Sequence, residues 1–173
     1  MIRIINLFFI IFFLLSSKAY SLIEIDITRG NLDPLPIAVS PLFQDDNSKR
    51  NSINELKIEN VGSEISLVVE NNLKISGLFN PLSKEAFLQK PDIAHLKPRF
   101  EDWALIKAQA LITGKVTIED KKLKVEFRLW DILAGREMMA LAFTTVPSNW
   151  RRVGHIISDK VYERLTGEKG YFD

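Results

Sequence analysis

Apolar and polar positions change their spacing several times along this 173-residue chain, and each change marks an element. Ile4–Leu15 is almost wholly apolar. Leu22-Ile23-Glu24-Ile25-Asp26-Ile27-Thr28 then alternates with period two and reads as a strand, broken by Arg29-Gly30-Asn31-Leu32-Asp33-Pro34. Pro36–Phe43 predicts a second strand, which its two prolines confine to an edge or to the ends of pairing. Gln44–Asn51 reads as a polar loop. From Ser63 the apolar residues Ile65, Val68, Val69, Leu73 and Ile75 fall near helical spacing, with Gly62-Ser63 offering an N-cap and Gly77 a stop.

Leu78–Leu82 leaves that helix in extended form, Ser83–Phe87 allows one helical turn, and the stretch to Pro98 reads mostly as loop. Phe100–Lys107 predicts a short helix with Phe100 and Trp103 on one side. Three strands follow, Ala110–Ile118, Leu123–Ile132 and Glu137–Val146, joined by turns short enough for antiparallel hairpins. The middle strand alternates most cleanly, with Leu123, Val125, Phe127 and Leu129 on a core face and Lys124, Glu126 and Arg128 on a wet one. Last, Ser148 offers an N-cap to a helix carrying Trp150, Val153, Ile157, Val161 and Leu165, stopped by Gly167. Helices covering one face of a largely antiparallel sheet make an α+β domain of two layers.

Length leaves room for one domain of ordinary size. With 23 basic and 22 acidic side chains, no overall field favours nucleic acid or anionic lipid. The absence of cysteine excludes disulfides, thiolate nucleophiles and Cys-ligated metals. The first apolar run changes the picture further. Arg3 precedes it, it is shorter than the roughly 20 residues that cross a bilayer, and Ala19-Tyr20-Ser21 supplies small residues two apart. These are the marks of a signal peptide, residues 1–21, cut between Ser21 and Leu22, rather than of an uncleaved anchor. No cysteine follows the cut, so the product is not a lipoprotein.

Little in the mature chain suggests catalysis. His95 and His155 lack a His, Cys or carboxylate partner at ligand spacing, and no HExxH, P-loop, GxGxxG or GxSxG occurs. Glu101-Asp102 and Glu119-Asp120 are adjacent and point apart, unlike a catalytic dyad. Trp150-Arg151-Arg152 could stack on bases, but export and the helical stripe favour a structural role for Trp150. The expectation is therefore no enzyme, no cofactor and no metal. The segment without an obvious structural duty is Leu22–Asp33, which can pair within its own sheet or add to another protein's sheet edge.

Several segments, in order, resemble the amino-terminal domain of TolB proteins: Gly77-Leu78-Phe79-Asn80-Pro81-Leu82, Asp102-Trp103-Ala104-Leu105, Leu111-Ile112-Thr113-Gly114-Lys115-Val116, Phe127-Arg128-Leu129-Trp130-Asp131, and Gly154 through Gly170. The resemblance implies a mixed, largely antiparallel sheet of about five strands with two main helices packed on it. It also implies a non-enzymatic periplasmic adaptor of the Tol–Pal system, peripheral to the membrane and binding no nucleic acid. Such an adaptor supports outer-membrane constriction in division and envelope integrity.

In that family the mature extension adds as a strand to the carboxy-terminal domain of TolA. Here that element maps onto Leu22, Ile23, Glu24, Ile25, Asp26, Ile27, Thr28, Arg29, Gly30, Asn31, Leu32 and Asp33. Ile23, Ile25 and Ile27 would supply pocket contacts while Glu24, Asp26 and Thr28 face out. The organisation implied is a mobile extension over 22–34, an α/β domain over 35–168 and the start of a linker at 169–173. The family's β-propeller, which binds the lipoprotein Pal, does not follow, so Pal binding is expected only if a propeller exists in the full protein. The alternative is an exported module for a small ligand or envelope polymer, seated in a groove between sheet and helices.

Overall fold

The computed structural model describes Ile23, Ile25 and residues 33–173. Six strands form one open sheet: β1 (Leu35–Val39), β2 (Phe43–Gln44), β3 (Phe79–Pro81), β4 (Ala110–Glu119), β5 (Lys122–Asp131) and β6 (Arg136–Thr145). Their order is β3-β1-β4-β5-β6, with β2 also on β4. β1 runs parallel to β3 and β4, whereas β4, β5 and β6 form two antiparallel hairpins. The hairpin strands begin and end within one residue of the positions their alternation predicts. Asp120 and Lys121 turn the first hairpin with φ of 49° and 57°, the geometry of a two-residue type I′ turn.

Among the described residues five α-helices accompany the sheet: α1 (Asp46–Leu56), α2 (Val61–Ile75), α3 (Pro91–Ala94), α4 (Phe100–Leu105) and α5 (Trp150–Thr166). The principal core lies on one face. There Val61, Ile65, Val69 and Leu73 of α2, and Val153, Ile157, Val161 and Leu165 of α5, meet Leu123, Val125, Phe127 and Leu129 of β5 and the inward residues of β1 and β4. The two helices also touch each other closely at Gly154, where a Cβ would lie 2.8 Å from Val68 Cγ1. Alternation puts Ala38, Leu111 and Trp130 on the opposite face, where they form a smaller core with Trp103, Ala94 and Ala108. That face is thus wet along Lys124, Glu126 and Arg128 but covered by α3 and α4 at its base.

β1 is an inner strand, and Pro36 stands at the end of its pairing with β4, one of the two places to which its prolines confine it. The missing N–H of Pro36 costs nothing because pairing with β4 begins only at Ile37↔Ala110, and the Pro36 carbonyl still accepts from Gln109 N–H. The segment read as a polar loop, Gln44–Asn51, instead closes β2 and opens α1. Asp45 caps α1 by accepting from Ser48 N–H at 2.8 Å. That bond, aided by the Lys115 ammonium, holds the Asp45 carboxyl below its ordinary range. Apolar periodicity could not reveal α1, since its buried residues are Ser48 and Ser52. Ser48 Oγ and Asn51 Nδ2 satisfy the Ile118 N–H and carbonyl, completing the edge of β4 beyond β2.

α2 starts two residues earlier than predicted, with Asn60 as its cap, accepting from Ser63 N–H. Ser148 is no cap either, because Pro147–Asn149 forms a 3₁₀ turn that leads into α5. One helical turn, α3, replaces part of the expected loop before Pro98.

Gly62, in the first turn of α2, sits directly under the Leu42 carbonyl, and its N–H donates to Gln44 Oε1. A methyl there meets backbone rather than a yielding side chain. Gly62→Ala should therefore destabilise the domain by about 3 kcal/mol, the upper end of overpacking costs, outweighing the roughly 1 kcal/mol that Ala gains over Gly inside a helix. The urea denaturation midpoint checks this.

Candidate functional site

The base of the sheet gathers the starts of β1, β4 and β6, the end of β5 and the C-terminal end of α5. A helix C-terminus leaves its last carbonyls without intrahelical donors. In α5, Gly167 N–H takes the Glu163 carbonyl in a left-handed cap, and the Thr166 hydroxyl donates to the Tyr162 carbonyl. The Leu165 carbonyl accepts at 2.7 Å from Ile25 N–H.

A second acceptor stands beside it. Asp131 ends β5 and is fully buried. One carboxylate oxygen accepts from Ala134 N–H at 2.8 Å, closing the turn into β6. The other accepts from Ile23 N–H at 3.3 Å. Residues two apart in an extended chain present their N–H groups to the same side, so Ile23 and Ile25 meet two acceptors on the domain in one stroke. Both side chains pack, partly buried, against the principal core.

Of the residues the sequence singled out for partner binding, the structure therefore places Ile23 and Ile25 at the sheet base and Asp33, exposed, just before β1. Leu22, Glu24, Asp26, Ile27, Thr28, Arg29, Gly30, Asn31 and Leu32 lie outside the described residues, as do Ser21 and the rest of the expected leader. Sequence reasoning missed Asp131 and the Leu165 carbonyl as the groups that hold the segment. The signal for Asp131 was an acid ending a strand whose inward residues are all apolar, four residues before Gly135.

The other candidates fall to structural duties. His95 ends α3, with Nδ1 3.0 Å from the Pro91 carbonyl, and its ring stacks on Phe43. His155 Nδ1 lies 2.9 Å from Asn72 Nδ2, joining α5 to α2. Asp102 pairs with Arg99, and Glu119 and Asp120 flank or form a hairpin turn. Trp150 packs against the core with the Arg151 guanidinium over its ring. Among the described residues no group of three or more His, Cys, Asp or Glu side chains could hold a metal ion.

Residues 169–173, expected to begin a linker, turn back along α5. Asp159 Oδ1 accepts from Phe172 N–H at 2.7 Å, Arg152 pairs with Asp173, and Tyr171 and Phe172 close edge-on over Tyr162. Burial pushes the Tyr162 hydroxyl above its usual range.

A model of the TolB amino-terminal domain matches residues 23–138. A Tol-Pal system protein TolB from Pelagibacter ubique (strain HTCC1062) is 76% identical over 165 residues, which cover 95% of this chain and 37% of that relative. The chain thus spans little more than a third of the relative's length. A crystal structure of TolB from Acinetobacter baumannii shares the fold, with a TM-score of 0.63 and 21% identity over 86% of this chain and 32% of that one.

If Asp131 holds Ile23, its truncation should be read locally. Asp131→Ala should speed hydrogen exchange of the Ile23 amide by about tenfold, the loss of a hydrogen bond of roughly 1.4 kcal/mol. Protection of amides inside β4 should change far less. Exchange followed by NMR separates the two.

Proposed function

The chain belongs to the TolB amino-terminal domain family, and on that premise we propose that it is a non-enzymatic adaptor of the Tol–Pal envelope system. It works in the periplasm after removal of its leader and binds TolA through Leu22–Asp33. The observation that carries this reading is the slight attachment of the segment to the domain. Its described residues hold the domain by two backbone hydrogen bonds and two half-buried isoleucines. Such bonds are worth about 1 kcal/mol each and half-burial of an isoleucine roughly 1 kcal/mol. A partner's sheet edge can exceed that sum, because strand addition supplies a longer ladder and side-chain pockets.

The chemistry of the segment sets a condition on binding. Ile23 and Ile25 cannot fill pockets on TolA while they pack against the domain's own core. Docking at the sheet base and pairing with the partner are therefore mutually exclusive, and the segment must leave Asp131 and Leu165 before it pairs. The proposal extends to a role in outer-membrane constriction and envelope integrity, for which the family match is the support. Engagement of Pal is proposed only for a protein that also carries the β-propeller implied by the resemblance.

Calorimetric titration with the carboxy-terminal domain of TolA tests the assignment. The native chain should bind, and a chain lacking residues 22–33 should show no measurable heat while keeping its circular dichroism spectrum. Binding that survives the deletion would place the TolA site elsewhere and overturn the reading.

A further inference from the structure

A carboxylate taken out of water is costly unless its charge is answered as well as its lone pairs. Asp131 is fully buried, and its two oxygens accept from Ala134 N–H at 2.8 Å and from Ile23 N–H at 3.3 Å. Those donors fill lone pairs, but neither carries a charge. Among the described residues no Lys, Arg or His side chain forms an ion pair with Asp131. Arg136 stands opposite it in the ladder, yet is exposed.

The chain brings a cation to this place when its leader is removed. Hydrolysis of the peptide bond between Ser21 and Leu22 adds one water and leaves a carboxylate on Ser21 and an α-ammonium on Leu22. In the uncut chain the same nitrogen is an uncharged amide. Backbone bond lengths hold the nitrogens of consecutive residues roughly 3 to 3.7 Å apart, whatever the torsion between them. Ile23 N lies 3.3 Å from Asp131 Oδ2, so the Leu22 nitrogen can reach that same oxygen by rotation about one bond.

We propose that the α-ammonium of Leu22, created by cleavage, forms an ion pair with the buried carboxylate of Asp131, so that removal of the leader latches the segment to the base of the sheet. The inference rests on the leader removal proposed above. A charge-assisted bond is roughly twice as strong as a neutral one, and it is open only to a chain that begins at Leu22. One residue more carries the charge about 3.5 Å further along the chain. Cleavage thus frees the segment from the membrane and in the same step gives it the resting place from which a partner must take it.

The intact mass of the exported protein reports the cut and should show a chain that begins at Leu22. A start at any other residue would sink both the latch and the assigned cleavage position. The pair itself is read from four proteins. These are the exported chain, a copy made without the leader that keeps a methionine before Leu22, and both again with Asp131→Asn, which still offers an acceptor to Ile23 but no charge. Protection of the Ile23 amide, measured by NMR against the exchange rate of an unstructured chain of the same sequence, should fall about tenfold on adding the methionine. In Asp131→Asn the methionine should change nothing. If Asp131→Asn does not fold, carbamoylation of the native α-amino group decides, since it removes the charge and leaves every residue in place; protection should fall by the same factor. Protection that ignores the methionine, that falls equally in Asp131→Asn, or that survives carbamoylation would overturn the latch, while the TolA assignment is judged separately by calorimetry.

Discussion

Val153, Ile157, Val161 and Leu165 can leave water only against the sheet and α2, and the burial of that stripe sets the position of nearly everything else. Four such side chains contribute on the order of 8 kcal/mol as an upper estimate, comparable with the whole net stability of a small domain. Seating α5 on β5 fixes the gap that α2 fills, and Gly154 lets the two helices approach. It also sets where α5 ends. The Leu165 carbonyl is presented at the base of the sheet beside Asp131, and there the amino-terminal segment finds its acceptors.

Much of this was legible in the residue pattern, for identifiable reasons. β4, β5 and β6 are long, alternate strictly and meet at short turns, so their bounds and facing follow from period two. α5 carries its stripe over more than four turns and ends in a glycine at φ 75°. The elements that escaped are those whose burial is polar or whose constraint is tertiary. α1 buries two serines and serves β4 through hydrogen bonds, which hydrophobic spacing does not register. Pro36 allowed either an edge or an end of pairing, and which of the two holds depends on where the neighbouring strand begins. Trp130 fell on the face read as wet, because its cover comes from Phe100 and Trp103 of α4, far away in sequence.

The candidate site was half legible. Alternation from Leu22 marked a segment fit for pairing, and resemblance supplied a partner. The acceptors that hold it could not be read from spacing, since Asp131 and Leu165 stand 34 residues apart and meet only once α5 has packed. Their discovery changes the physical picture of binding. On the proposed assignment the two isoleucines offered to a partner are already packed on the domain's own core, so affinity for that partner would be reduced by whatever the docked state is worth.

That exclusivity is the central claim, and Asp131 gives direct access to it, because the residue touches the segment only in the docked state. The decisive measurement is the dissociation constant for the carboxy-terminal domain of TolA, compared between the native chain and Asp131→Ala. Weakening the docked state by the same roughly 1.4 kcal/mol should tighten binding about tenfold. Unchanged or weaker affinity, in a variant whose fold is intact, would contradict the account.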